Sequence, residues 1–307
     1  MKYTYPDYYH KFSCIASRCR HSCCIGWEID IDEDSYEFYQ TIKGKLGDRL
    51  CRSIVHDAPP HFKLGEGERC PFLNRDNLCD LILTLGAGSL CEICREHPRF
   101  YSVMQGRTEV GLGLCCEEAA RLILSEDAPM TLVMKGEPTD ETGEWEKRCL
   151  SWREEVFSLL QNRGISVFER ADRLMARCQM DFPALDETIK KLLTLEIMTP
   201  EWKALLSRYQ KSDEEAFCRL MASREYEYEQ FMVYLAYRYL VTAYDEDDLM
   251  VKTAFIAWSF RLLVALGSFL YAEKGAFTPE DQIELARLFS VEIEYDEDNL
   301  EALLEEI

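Results

Sequence analysis

A chain of 307 residues can bury one large core or two ordinary ones, and with 47% hydrophobic and 30% charged residues it is neither disordered nor fibrous. The formal charge of −21 is uneven: 15 lysines and arginines face 18 acidic residues up to position 125, and 20 face 38 beyond it. That field repels phosphate backbones and anionic lipid, which argues against nucleic acid and membrane as partners; it attracts lysine-bearing protein surfaces, and it also serves plain solubility.

The start, MKYTYPDYYHKFSC, has neither an apolar h-region nor a small-residue cleavage site, so no secretory leader is expected and the cytoplasm is the default compartment. GWEIDID (26–32) alternates apolar and acidic residues as an exposed strand does, and DEDSYEFYQTIKGKL after it has helical spacing with an acidic first turn. LTLGAGSL (83–90) has a GxG but lacks the third glycine of a nucleotide loop, and is expected to end a helix. RFYSVMQGRTEVGLGL (99–114) reads as a hairpin around Gln105 and Gly106, with Cys94 and Cys116 at its one end, and CEEAARLILS (116–125) as a helix.

The stretch 126–144, through Pro129, Gly136, Pro138 and Gly143, is the expected linker. Beyond it the spacing predicts helices at about 145–162, 166–178, 183–196, 200–210, 213–243, 247–273 and 279–290. Ala254 to Tyr271 is nearly long enough to span a bilayer, but Arg261 at its middle points to a buried core helix. The tyrosines of REYEYEQFMVYLAYRYL (224–240) are assigned to core packing rather than to an aromatic cage for an amine. The expected fold is therefore mainly α: a cysteine-rich, metal-binding N-terminal domain (1–125) with a small β hairpin, the linker (126–144), and an acidic all-α helical domain (145–307).

Eleven of the fourteen cysteines precede residue 117. In a reducing compartment such clustering indicates a metal site rather than disulfides, whereas Cys51, Cys149, Cys178 and Cys218, isolated in sequence, read as small buried hydrophobes. Cys14, Cys19, Cys23 and Cys24 form the first group; Cys70 and Cys79, the pair Cys91 and Cys94, and Cys115 and Cys116 follow. Thiolate-rich sets suit zinc or an iron–sulfur cluster, and the spacing does not choose between them.

FSCIASRCRHSCCIGWEIDID, CPFLNRDNLCDL, CREHPRFYSV and LCCEEAARLIL, in that order, resemble the successive motifs of the flagellin lysine N-methylase (FliB) family, and part of the pattern is shared with YkgJ-type cysteine-cluster proteins. The resemblance covers residues 11 to about 125. It implies Cys14, Cys19, Cys23, Cys24, Cys70, Cys79, Cys94 and Cys116 as the family cysteines, a [4Fe-4S] cluster, and methyl transfer from S-adenosylmethionine to lysine on flagellin. Eight cysteines exceed the four that one cubane needs. Glu117 stands where the pattern has proline, and Cys91 and Cys115 are additional thiols. In the acidic helical half no family motif is recognised.

Within that resemblance, Asp30 and Asp32 are candidates for contacting the lysine or the cofactor amine. Arg99 is a candidate for the cofactor carboxylate, and Trp27 for a cover over the centre or a stack on adenine. The competing readings are a noncatalytic, metal-stapled protein-binding module and a thiol or metal redox protein.

Overall fold

The computed structural model describes residues 2–137, 140–180 and 183–307, and its contacts divide the chain into two units, Ser13–Phe100 and Met1–Phe12 with Tyr101–Ile307.

The unit 13–100 is built from short helices, Glu33–Thr41, Gly44–Ser53, Asp80–Leu85 and Glu92–Glu96, and a small antiparallel ribbon pairing Ile54–Val55 with His61–Phe62. The helix expected after residue 32 starts where the Asp32 carboxylate accepts the Ser35 amide at 2.9 Å. It divides at Ile42–Lys43, and Gly44, at φ +76°, takes the left-handed turn that begins the next helix. GWEIDID is not a strand. Its alternation survives in burial, with Ile29 and Ile31 inside, but its backbone bonds go to scattered partners: the Gly26 amide to Glu68 O, the Ile31 amide to Pro60 O, and the Phe62 amide to Ile29 O. A ladder therefore never forms. Asp80–Leu85 ends as expected at Gly86, with φ +89° and its amide on Ile82 O.

In the other unit a four-stranded sheet has the order Arg99–Met104, Arg107–Leu112, Lys2–Pro6, Leu132–Lys135, the chain passing between units within the first of these strands. The hairpin at Gln105–Gly106 is present; Gly106 lies at φ +75°, and a Cβ there would stand 2.4 Å from Asp140 O, so the turn requires glycine. Lys2–Pro6 runs parallel to the hairpin's second strand (Tyr3 opposite Thr108) and antiparallel to Leu132–Lys135 (Tyr3 opposite Lys135). The proposed linker thus holds a strand, and this pairing groups residues 2–12 and 101–135 with the helices; Pro138, one of its marks, lies outside the described residues.

Helices Glu144–Leu160, Val167–Cys178, Leu185–Leu192, Pro200–Arg208, Glu214–Met221, Glu225–Tyr239, Glu246–Lys274, Pro279–Phe289 and Glu297–Leu304 complete this unit. The expected helix 213–243 is two, broken at Ala222–Arg224, and the last helix was not expected. Glu225–Tyr239 is buried on nearly every side, so Tyr228, Tyr234, Tyr237 and Tyr239 are core residues; Tyr237 donates to Thr4 O (2.9 Å) and Val110 O (3.1 Å), tying helix to sheet. Glu246–Lys274 is long and apolar enough to cross a membrane by composition, yet its most apolar window is 78% buried inside the protein, and Arg261 leaves the core to pair with Asp172 at 2.5 Å. Past Phe289 the helix widens into a π-turn, Ser290–Glu294. There the buried Glu294 accepts Tyr234 Oη (3.0 Å) and Tyr239 Oη (2.9 Å), with Arg238 3.5 Å away.

Candidate thiolate centre

The core of unit 13–100 is small and sulfur-rich. Ile29, Ile31, Tyr39, Leu50, Phe62, Phe72 and Leu81 enclose the buried Cys70 and Cys91, and the half-buried Cys24, Cys79 and Cys94 pack against the same cluster. The structure thus brings together thiols from three separated motifs. Local chain chemistry explains how.

The CPFLNRDNLC loop closes on itself. Asn74 Oδ1 accepts the amides of Asp76 (2.9 Å) and Leu78 (3.0 Å), and Asn77 adopts a left-handed φ of +55° that asparagine tolerates. Arg49 donates to Asp80 (2.6 Å), whose other oxygen receives Asn74 Nδ2 at 3.0 Å. Cys70 is joined to the first motif directly, its amide donating to Cys24 O at 2.8 Å. Cys91, the N-cap of Glu92–Glu96, and Cys94 within that helix lie three residues apart, preceded by a loop that Tyr39 holds through a 2.8 Å bond to Ser89 O.

Asp32 governs where that last helix sits. One oxygen caps Glu33–Thr41, and the other accepts the Glu92 amide at 2.6 Å, so a single carboxylate begins two helices. Burial opposes its ionised form, but the Glu92 and Ser35 bonds outweigh burial and hold the pKa below the ordinary carboxylate value. Asp30, two residues earlier, is exposed and bridges its backbone to His61. The two candidate carboxylates therefore do not share a pocket face: one is a helix clamp and the other a surface group.

The thiols titrate very differently. A hydrogen bond from Cys23 brings Cys24 down to about 7 against the penalty of burial, aided by Ser22 and the nearby Arg69 charge. Cys91 is lowered by its bond with Cys94, which is raised in turn by the same bond and by burial. Burial pushes Cys70 up to about 12 and also raises Cys79, and the charges of Cys24, Cys70, Cys79, Cys91 and Cys94 are felt among one another. Among the described residues, no group of three or more His, Cys, Asp or Glu side chains converges at metal-binding distance. The donor set fits a soft, thiolate-held group in chemistry and in shared location, with deprotonation and closing of the sulfurs as what binding would demand.

The remaining sequence candidates lie elsewhere or beside this cluster. Cys14 is exposed, its sulfur receiving the Ala16 amide at 3.4 Å; Cys19 is half-buried and bonds to His21 O at 3.2 Å; neither belongs to the core cluster. Cys116 is in the other unit, at the start of Glu117–Leu124. There the neighbouring Cys115 is raised to about 12 by burial, countered by a bond to Tyr295. Trp27 donates its indole N–H to Cys23 O and tilts against His97, ring centres 5.7 Å apart, so it flanks the vicinal thiols. Burial, then the Arg99 charge, depresses His97 to about 4 and keeps it neutral at pH 7. Arg99 reaches the carbonyls of Glu96 (3.4 Å) and Arg95 (3.5 Å), the C-terminal end of the Cys94 helix. Cys91, set apart by sequence as an additional thiol, is an integral member of the cluster; its CxxC spacing to Cys94 was the available signal.

The C-terminal domain of the FliB lysine N-methylases matches residues 171–307, the acidic half in which sequence motifs alone gave no match. Proteins named lysine-N-methylase from Salmonella typhimurium (strain LT2) and Salmonella choleraesuis (strain SC-B67) are each 32% identical over 143 residues, 43% of this chain and 35% of theirs. The chain thus spans about a third of those curated relatives. The flagellar biosynthetic protein FliU of Salmonella muenchen is 31% identical over 140 residues, 42% of this chain and 80% of that protein. No solved structure matches. Taken with the order of the cysteine motifs, these similarities show that the chain belongs to the FliB lysine N-methylase family.

Proposed function

We infer that the chain is a lysine N-methyltransferase acting on flagellin, with S-adenosylmethionine as methyl donor and a thiolate-held metal centre in residues 13–100. The observation that carries the metal is the single core shared by Cys24, Cys70, Cys79, Cys91 and Cys94. The names of its relatives support the reaction and the flagellar substrate. The bound group is an iron–sulfur cluster in this reading, with zinc as the alternative the same donors allow. Such a group would staple the short helices of a small core, or offer an open site to the cofactor's amino and carboxylate groups.

An exposed lysine with pKa near 10.4 is neutral in roughly one molecule in 2,500 at pH 7, so the protein has to favour the free amine before it can attack. Desolvation does this, whereas a carboxylate alone raises the lysine pKa. Asp32, both of whose oxygens hold helix amides, serves by positioning Cys91 and Cys94; the exposed Asp30 is the carboxylate open to an approaching ammonium. In the transfer the amine nitrogen bonds the methyl carbon, the sulfonium S–C bond breaks, and the ammonium proton passes to solvent or a nearby base. Trp27 lies against the backbone of Cys23, beside the vicinal thiols.

Anaerobic isolation with metal and sulfide analysis, titration with S-adenosylmethionine, and mass spectrometry of flagellin after incubation test the reading together. A gain of 14 mass units per methyl on lysine is expected; absence of both cofactor binding and methylated product leaves a noncatalytic binding module as the description.

A further inference from the structure

Within the helical unit a cleft of about 900 Å³ opens between Val167–Cys178, the start of Leu185–Leu192, the start of Glu214–Met221 and the middle of Glu246–Lys274. Its volume is in the range of ligand-binding clefts. Phe168, Met175, Trp258 and Phe260 supply an aromatic and thioether lining, Phe168 meeting Phe260 edge-on at 5.3 Å. All of this lining but Phe168 falls in the region matched by the family's C-terminal domain.

The charges around it are not balanced. Asp172 is answered by Arg261, and Asp213 caps its own helix at Ala216, but among the described residues Asp186 and Glu214 have no ion-pair partner and Lys211 is the one further cation of the lining. An apolar groove with unanswered carboxylates complements a cationic side chain carried on an apolar stretch, and repels phosphate and anionic lipid.

We propose that this cleft docks a lysine-bearing, otherwise apolar peptide segment of the protein substrate, the aromatic lining taking its apolar side chains and Asp186 and Glu214 its ammonium groups. The inference rests on the methylase reading for the identity of that substrate, and not for the cleft itself. Docking here supplies the capture that a carboxylate beside the reacting amine would supply only by opposing its deprotonation.

The test uses the full chain and a short fluorescein-labelled peptide of leucine and lysine, with a counterpart bearing glutamate at each lysine. Anisotropy should show binding of the lysine peptide alone, weakened by salt. Asp186→Lys with Glu214→Lys should lower the affinity about tenfold, as expected for two reversed rim charges, while Glu154→Lys with Glu155→Lys, lining a separate hollow, should leave it unchanged. Circular dichroism establishes that both variants fold. Equal affinity of the first variant and the unaltered chain, or displacement of the peptide by S-adenosylmethionine, overturns the proposal. Affinity lost in the first variant, with no methylation of flagellin by the unaltered chain, sustains the cleft and refutes the methylase reading; methylation with an unchanged KM in that variant does the reverse.

Discussion

Asp32 offers the sharpest perturbation, because one carboxylate holds two helix starts and the second carries Cys91 and Cys94. Asp32→Ala removes an N-cap, at about 1 kcal/mol, and a charge-assisted bond to the Glu92 amide, at about 1–2 kcal/mol in this half-exposed setting. Local opening of the Glu92–Glu96 helix should therefore rise by roughly 30-fold or more for about 2–3 kcal/mol. Asp32→Asn keeps one acceptor for Ser35 but presents an N–H group or nothing to Glu92, so it should fall between. The assay is the rate at which Cys91 and Cys94 react with a thiol reagent in chelator-treated, natively folded protein, read by peptide mass. The sign with pH is set by the depressed Asp32 pKa: its contribution is complete above the ordinary carboxylate range and disappears as pH falls through the folded value. Labelling of Cys91 and Cys94 in Asp32→Ala within twofold of the unaltered chain would refute the clamp.

In the same chelator-treated protein Cys24 should be the first of the core thiols to be alkylated, its rate rising through pH about 7, while Cys70, raised to about 12, stays inert; loading with iron and sulfide or with zinc should protect Cys24, and an unchanged Cys24 rate removes the thiolate centre. His97 is held neutral, with a folded pKa of about 4 against an ordinary value near 6.5, so it should oppose folding increasingly as pH falls between those values, on the order of 3 kcal/mol in all; His97→Gln should flatten that limb of a urea-midpoint series. Glu294→Ala removes the buried carboxylate that Arg238 and the Tyr234 and Tyr239 hydroxyls share, and should cost about 3–5 kcal/mol in equilibrium denaturation, whereas a surface change such as Glu301→Ala should cost almost nothing.

Much of this was legible along the chain. Helical periodicity located most of the helices from 144 onward, though it ran two together across 222–224 and missed Glu297–Leu304, and Gln105–Gly106 announced its hairpin through the need for a left-handed residue. The cysteine motifs located the segments that meet in the sulfur-rich core, while Cys14, Cys19, Cys23 and Cys116 are not members of it. What failed was decided over distance. GWEIDID alternates as a strand does, but the partners of its backbone lie in two separate segments, around Pro60–Phe62 and at Glu68. The stretch 126–144 looks like a linker until residues 132–135 find the N-terminal strand, which is more than a hundred positions away in sequence. Asp32 looks in one dimension like a carboxylate for an amine; only the fold brings the Glu92 amide to its second oxygen.

Local spacing and composition thus determined which segments are helical, which thiols are available and where the acidity lies, since these follow from neighbours within a turn or two. Tertiary structure alone decided which cysteines share a core, which carboxylate is spent on helix caps and which carboxylates border the cleft in the helical unit. Burial, partner and pKa are properties of surroundings assembled from remote parts of the chain, and no periodicity encodes them.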